Sequence, residues 1–158
     1  MNSIAHDIKN QCLRLLTRRE HSQKELLTKL MQKGFERADI QPVIDELAQQ
    51  NWQSDDRFAE CYARYRLQKG FGAVAIRYEL SQKGIDVAVN TLNDAMLTVA
   101  DDWLDLLTHV YSKKYGEIAP ITHHEWSKRS RFLLQRGFSS SQITQFAKLY
   151  VLLIPTKF

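Results

Sequence analysis

The hexapeptide LSQKGI, Leu80 to Ile85, decides how the chain is read, because nearly the same six residues occur three times. The other copies are LMQKGF, Leu30 to Phe35, and LLQRGF, Leu133 to Phe138, so Gly34, Gly84 and Gly137 recur at intervals of 50 and 53 residues. Each copy has leucine four positions before the glycine, glutamine two before, a cation one before and a large apolar residue one after. That is the chemistry of a helix end. The cation meets the negative end of the macrodipole, glycine takes the left-handed C′ position, and the apolar residue folds back onto the last turn. Three such ends predict one helical unit of about 50 residues used three times.

The residues around each copy extend the pattern. Ala5, Ile8, Cys12, Leu15 and Leu16 recur at helical spacing and predict a first helix over Ser3 to Arg18. Ser22 with Glu25 three residues on is a capping box opening a second helix, which carries Leu26, Leu27 and Leu30 to Gly34. A third, Ala38 to Gln50, turns Ile40, Val43, Ile44 and Leu47 inward. Ile143, Phe146, Ala147 and Tyr150 stand as far beyond Gly137 as those four stand beyond Gly34. Helices this short need one another, so each set closes into a three-helix bundle. The expected fold is all-α, three tandem three-helix repeats over residues 1–53, 54–99 and 100–158 in an elongated array, the last with an apolar tail, Val151 to Phe158.

In the middle repeat, Ser54, Asp55 and Asp56 gather at a helix N-terminus, with Trp52 before them as a staple. Phe58, Cys61, Tyr62 and Tyr65 are the expected apolar stripe, with Cys61 a small core residue. Arg57 and Arg64 would flank it on one side and Arg66 on the other, and Arg66 and Lys69 border the core rather than fill it. Gly70 ends that helix, Gly72 tightens the next turn, Ile76 and Leu80 face inward to Gly84, and Val87 to Leu97 supply the third helix through Val89, Leu92 and Met96. In the last repeat Trp103, Leu104, Leu107, Val110 and Tyr111 point inward up to Gly116. Thr122 and Glu125 form a second capping box, Trp126, Phe132 and Leu133 follow, and Ser139 to Ser141 cap the final helix.

Composition fits. Hydrophobic residues at 44% suffice for packed cores, and the charged fraction of 25% is ordinary for a soluble surface. Two cysteines, Cys12 and Cys61, provide no disulfide framework, which predicts a reduced, cytoplasmic protein. Met1 to Gln11 has no apolar run of the signal-peptide kind, and no stretch approaches a membrane span. The net charge of +4 is mild and concentrates in the last third, too little to announce nucleic acid.

The run DDRFAECYARYRLQKGFGAVAIRYELSQKGI, Asp55 to Ile85, resembles the signature of the RecX family, bacterial regulators of the RecA recombinase. The resemblance rests on Asp55, Phe58, Arg66, Lys69, Gly70, Gly72, Ile76, Arg77, Glu79, Leu80, Lys83, Gly84 and Ile85 at the family's spacing, and the flanking repeats fit the same three-bundle plan. Departures are Gln68 and Ala75 in place of frequent cations, Ala73 in place of a usual proline, and Gln53 in place of an apolar residue. The resemblance implies a non-enzymatic negative modulator, without cofactor or metal and acting as a monomer. It would lie in the groove of the RecA filament on DNA and limit filament extension, ATP hydrolysis, strand exchange and repressor cleavage, and so recombination, repair and the SOS response. The partner-binding cations would be Arg57, Arg64, Arg66, Lys69, Arg77, Lys83, Lys128, Arg129, Arg131 and Arg136, with weak contact to the filament's DNA. Spacing and composition by themselves do not name the recombinase.

Two other classes compete. A direct DNA binder built from helix-turn-helix-like units would carry cations on each third helix. Ala38 to Gln50 instead contains Asp39, Asp45 and Glu46 and no cation, Val87 to Leu97 contains Asp94 and no cation, and Gln142 to Tyr150 has only Lys148. The cations gather on second helices and the ends of first helices, Lys24, Lys29, Lys33, Lys113 and Lys114 among them. For an enzyme, His123, His124 and Glu125 are the one cluster resembling chemistry, but adjacent histidines point to different helix faces and no third ligand stands at metal spacing.

Overall fold

A computed structural model of the chain describes residues 3–151 and 153–154. Among them are nine helices: α1 Ser3–Arg18, α2 Gln23–Gln32, α3 Arg37–Gln49, α4 Asp55–Gln68, α5 Ala73–Gln82, α6 Val89–Met96, α7 Trp103–Tyr115, α8 His123–Gln135 and α9 Ser140–Tyr150. The only strands described are β1, Ile121–Thr122, and β2, Leu153–Ile154, paired in parallel. The tail was expected as one apolar segment. Its residues 153–154 form β2, while Leu152 and residues 155–158 lie outside the described residues.

The repeated hexapeptide is a Schellman ending in all three places. The amide of the residue after glycine donates to the leucine carbonyl five back, Phe35 to Leu30 at 3.2 Å, Ile85 to Leu80 at 3.0 Å and Phe138 to Leu133 at 3.2 Å. The three glycines have φ of 98°, 80° and 95°, the region where a Cβ is penalised. The capping boxes of Ser22 with Glu25 and Ser139 with Gln142 are both complete. At α8 only half a box forms: Thr122 accepts from the Glu125 amide, and the Glu125 carboxylate turns to Arg129.

Packing divides the chain into two compact units, one of residues 1–61 and 80–87, the other of residues 62–79 and 88–158. Helices α4 and α5 each belong partly to both. In the first unit Ile8, Cys12, Leu26, Leu30, Ile40, Val43, Ile44 and Leu47 form one core. Burial pushes the Cys12 thiol up to about 11. In the second unit Leu106, Leu107, Leu133 and Phe138 are buried beside an aromatic cluster, with Tyr111 4.9 Å and Trp126 6.3 Å from Phe146.

The middle repeat departs most from expectation. The buried face of α4 is Phe58, Ala59, Ala63 and Leu67, whereas Cys61 is exposed and Tyr65 is 55% exposed. The aromatic residues suggested one stripe, but alanines bring this helix closer to its neighbours along another. Trp52 is no staple: it is 60% exposed, because Asn51 turns at a φ of 65° and sends it outward. Val89 is likewise 56% exposed, and Val87, before α6, is buried instead. Helix α3 begins at Arg37, so it does carry one cation, in its first turn.

In the first unit Gln53 belongs to a buried polar cluster, with its Oε1 left without a hydrogen-bond partner among the described residues. Gln53 is 1% exposed, and its Nε2 donates to the His21 carbonyl at 3.2 Å and to Asp55 Oδ1 at 2.9 Å. The same Asp55 oxygen accepts from the Gln23 amide at 3.0 Å. Asp55 therefore caps the start of α2, while Ser54 caps α4 through the Arg57 amide. His21, 2% exposed, is held with Nδ1 3.0 Å from the Arg19 carbonyl and Nε2 3.3 Å from Lys29 Nζ.

The second unit contains a junction made of backbone. The Gly72 amide donates to the Arg136 carbonyl at 2.7 Å and the Val74 amide to the Gly137 carbonyl at 2.9 Å. The unpaired donors at the start of α5 thus meet the unpaired acceptors at the end of α8. The approach leaves no room for side chains. A Cβ on Gly72 would lie 2.6 Å from the Gly137 oxygen, and one on Gly137 only 2.3 Å from Ala75 Cβ. Gly72 was expected to tighten a turn; what it does is admit a second backbone.

Candidate functional site

The ten expected partner-binding cations separate by what already holds them. Arg57 Nε lies 3.0 Å from Glu20 Oε1, and Lys83 Nζ lies 3.5 Å from Glu25 Oε2. Burial pushes the Glu25 carboxyl up, but hydrogen bonds from Arg19 and the Ser22 amide, with the charges of Arg19 and Lys83, bring it below its ordinary value. Arg129 is spanned by Glu125 Oε1 at 3.0 Å and the Tyr111 hydroxyl at 2.8 Å. Four of the ten, Arg64, Arg77, Lys128 and Arg131, are exposed and make no ion pair or hydrogen bond among the described residues.

Arg66 also has an internal partner. Its Nη2 sits 2.8 Å from Glu79 Oε1, which also accepts the Tyr62 hydroxyl at 3.0 Å, and its Cζ lies 3.6 Å from the centre of the Phe71 ring. Arg66 Nε and Glu79 Oε2 are buried without hydrogen-bond partners. The pair ties α4 to α5 within the second unit, so Arg66 borders the core as expected but is committed to an internal carboxylate, and a charge reversal there would set two carboxylates together. The reason is the shifted α4 face: with Ala63 and Leu67 buried, their neighbour Arg66 turns inward.

Lys69 and Arg136, 67 residues apart, come together. Arg136 Nη1 donates to the Lys69 carbonyl at 3.0 Å, and its guanidinium lies 4.8 Å from the Phe71 ring and 5.2 Å from Phe132. They stand on the rim of an open cleft of about 610 Å³. Its floor is apolar, formed by Leu67, Val99, Leu106, Val110 and Phe132, and Lys113 and Lys114 complete the rim. No aspartate or glutamate lines it. Lys113 and Lys114 were legible only as cations at a helix end; that the end of α7 meets the ends of α4 and α8 is a result of packing.

Charge follows the same division. The first unit holds ten Lys and Arg against eleven Asp and Glu, the second twelve against seven. Exposed apolar residues add to the second unit's surface, with Val74 and Tyr78 one turn apart on α5 and Arg77 beside them, and Leu134 near Arg131 on α8. Among the described residues no helix is long and apolar enough to cross a membrane, and no group of three His, Cys, Asp or Glu could hold a metal ion.

Comparison with known proteins agrees along the chain. The family models for the first, second and third three-helix domains of RecX match residues 9–47, 54–89 and 100–146. The Regulatory protein RecX of Legionella pneumophila (strain Corby) is 39% identical over 139 residues, 88% of this chain and 91% of that protein. That of Halorhodospira halophila is 34% identical, covering 86% of this chain and 83% of its own. The crystal structure of RecX from Lactobacillus salivarius has the same fold, with a TM-score of 0.71 and 22% identity over 94% of this chain and 97% of that one.

Proposed function

Because the chain belongs to the RecX family, we propose that it is a negative modulator of the RecA recombinase, acting on the assembled filament on DNA rather than on bare DNA. The observation that carries this reading is the match of all three three-helix domains in order along the chain. The role would be regulatory: contacts spread over repeated units gain effective concentration without one strong contact, and so damp filament extension, ATP hydrolysis, strand exchange and repressor cleavage. The exposed cations Arg64, Arg77, Lys128 and Arg131, which make no ion pair among the described residues, are the best candidates for those contacts; Arg57, Arg66, Lys83 and Arg129 hold internal partners first.

The charge layout speaks against direct base reading. The third helices carry Arg37 beside Asp39, Asp45 and Glu46 in α3, Asp94 alone in α6, and Lys148 alone in α9. A recognition helix would need cations and amides facing a groove.

The test is recombinase ATPase on single-stranded DNA with the pair Arg64→Glu and Arg77→Glu. Both side chains are exposed, so the fold should survive. A charge-assisted contact is worth about 1.5–3 kcal/mol, less when water screens it, so inhibition should weaken at least about tenfold. Excess DNA should not restore the ATPase. Stoichiometric relief by DNA, or a double variant as potent as its parent, would overturn the filament reading and favour DNA binding.

A further inference from the structure

We propose that the cleft between the ends of α4, α7 and α8 is a docking site for an acidic peptide segment of a protein partner, one that sets an apolar side chain on the floor. The inference rests on the protein-partner reading above and adds the chemistry of what is recognised.

The way the rim cations are held is the first reason. Elsewhere several cations meet carboxylates, as Arg19 meets Glu25, Arg57 meets Glu20 and Arg66 meets Glu79. None of Lys69, Lys113, Lys114 and Arg136 makes an ion pair among the described residues. Three of them lie against aromatic rings instead: Lys69 Nζ is 5.5 Å from Tyr65, Lys114 Nζ 4.9 Å from Phe132, and Arg136 Cζ 5.2 Å from Phe132. A ring orients a cation without neutralising it, so the charge stays available to an anionic ligand. Arg136 is further fixed by its bond to the Lys69 carbonyl, which lowers the ordering cost of binding.

The floor is the second reason, because it distinguishes a peptide from a nucleic acid. Single strands are held by cations together with open aromatic faces on which bases stack. Of the two rings lining this cleft, Phe132 already carries Lys114 and Arg136 and meets Tyr115 edge to face at 5.7 Å, and His109 is turned to Asp105, its Nδ1 3.5 Å from Oδ1. The rest of the apolar lining is aliphatic, Leu67, Val99, Leu106 and Val110, a surface suited to an aliphatic or aromatic side chain of a peptide. Carboxylates on either side of that residue would reach the rim.

The test uses the intact chain and a fluorescein-labelled peptide of about ten residues, glutamates and aspartates flanking a central Leu-Phe pair, read by anisotropy at about 0.1 M salt, where screening is moderate. Lys113→Glu with Lys114→Glu should weaken binding at least about tenfold. Reversal of Arg14 and Lys148, the same change of charge at exposed positions that do not line the cleft, should change it less than about threefold. Replacing the peptide's Leu-Phe pair by serines should also weaken it. Equal losses in the two double variants, undiminished binding of the serine peptide, or displacement by oligothymidine at lower concentration than by unlabelled peptide would each overturn the proposal. The assay contains no recombinase, so intact filament inhibition with lost peptide selectivity would retire the cleft alone, and the converse would retire the filament reading alone.

Discussion

The two compact units handle polar groups in opposite ways. The first buries a histidine, a serine and a glutamine, and balances ten cations against eleven acids, most of its half-buried charges in pairs. The second joins the start of α5 to the end of α8 through two backbone hydrogen bonds and has an excess of five positive charges, several held over rings. A unit that neutralises itself is suited to being scaffold. A unit in which Arg66 and Arg129 meet carboxylates but Lys69, Lys114 and Arg136 lie over rings without one keeps an excess of positive charge at its surface. The total of +4 averages this difference between the units away.

The sharpest way to break the comparison is at the equivalent glycines. Gly137 and Gly34 share a sequence motif and a left-handed φ, but a Cβ on Gly34 meets nothing within 4 Å, whereas one on Gly137 meets Ala75 at 2.3 Å. Gly34→Ala should cost only the conformational strain, about 1 kcal/mol. Gly137→Ala must add the separation of two backbones and should cost about 3 kcal/mol or more. Urea denaturation of the two variants measures both. Equal losses would mean that the α5–α8 junction does not hold the second unit together.

The next effect in size is at Arg66 and Glu79. Glu79→Gln leaves a half-buried guanidinium without its counter-charge and should cost about 2 kcal/mol, discounted for partial exposure. Arg66→Met with Glu79→Leu should recover part of that loss, since both have an atom buried without a hydrogen bond. A double variant less stable than Glu79→Gln would show that the pair is stabilising in its own right. Function offers a second readout: a structural Arg66 predicts that the double variant keeps whatever effect the parent has on recombinase filaments in the ATPase assay proposed above.

These examples also mark how far the sequence could be read. The Schellman ends, the stripes of α1, α2 and α3 and the caps at Ser22 and Ser139 depend on residues a few positions apart, and each was legible. The α4 face was not, because alanine says little about burial while Tyr65 and Cys61 invite it. Neither was the Gly72 to Gly137 approach, where two glycines with independent local explanations turn out to need each other. At the candidate site the individual cations could be named in advance. Which of them are spent on internal partners, and that Lys69 meets Lys113, Lys114 and Arg136 around one floor, depends on contacts between distant segments.

The smallest expected effect tests the first unit through pH. His21 is held below its ordinary value by burial first, and then by the charges of Arg19 and Lys29, against a raising hydrogen bond to the Arg19 carbonyl and the charge of Glu25. As pH falls below 6.5 the unfolded chain takes up a proton that the folded chain resists, so stability drops. Glu25, also lowered, contributes stability above 4.5 that is lost as pH falls further. Acid should therefore loosen the first unit in two stages. In the second unit the resolved shifts have the opposite sense: burial raises Tyr115 above 10, and its contribution is lost only in alkali. Melts followed by circular dichroism at about pH 7.5 and about pH 5.5 should show a lower midpoint at the acid value for the parent chain. His21→Gln, which removes the titrating ring, should lose most of that difference whatever its absolute stability. An unchanged difference in the variant would mean that His21 titrates freely, and that the cluster of His21, Gln53 and Asp55 opens to water before the unit unfolds.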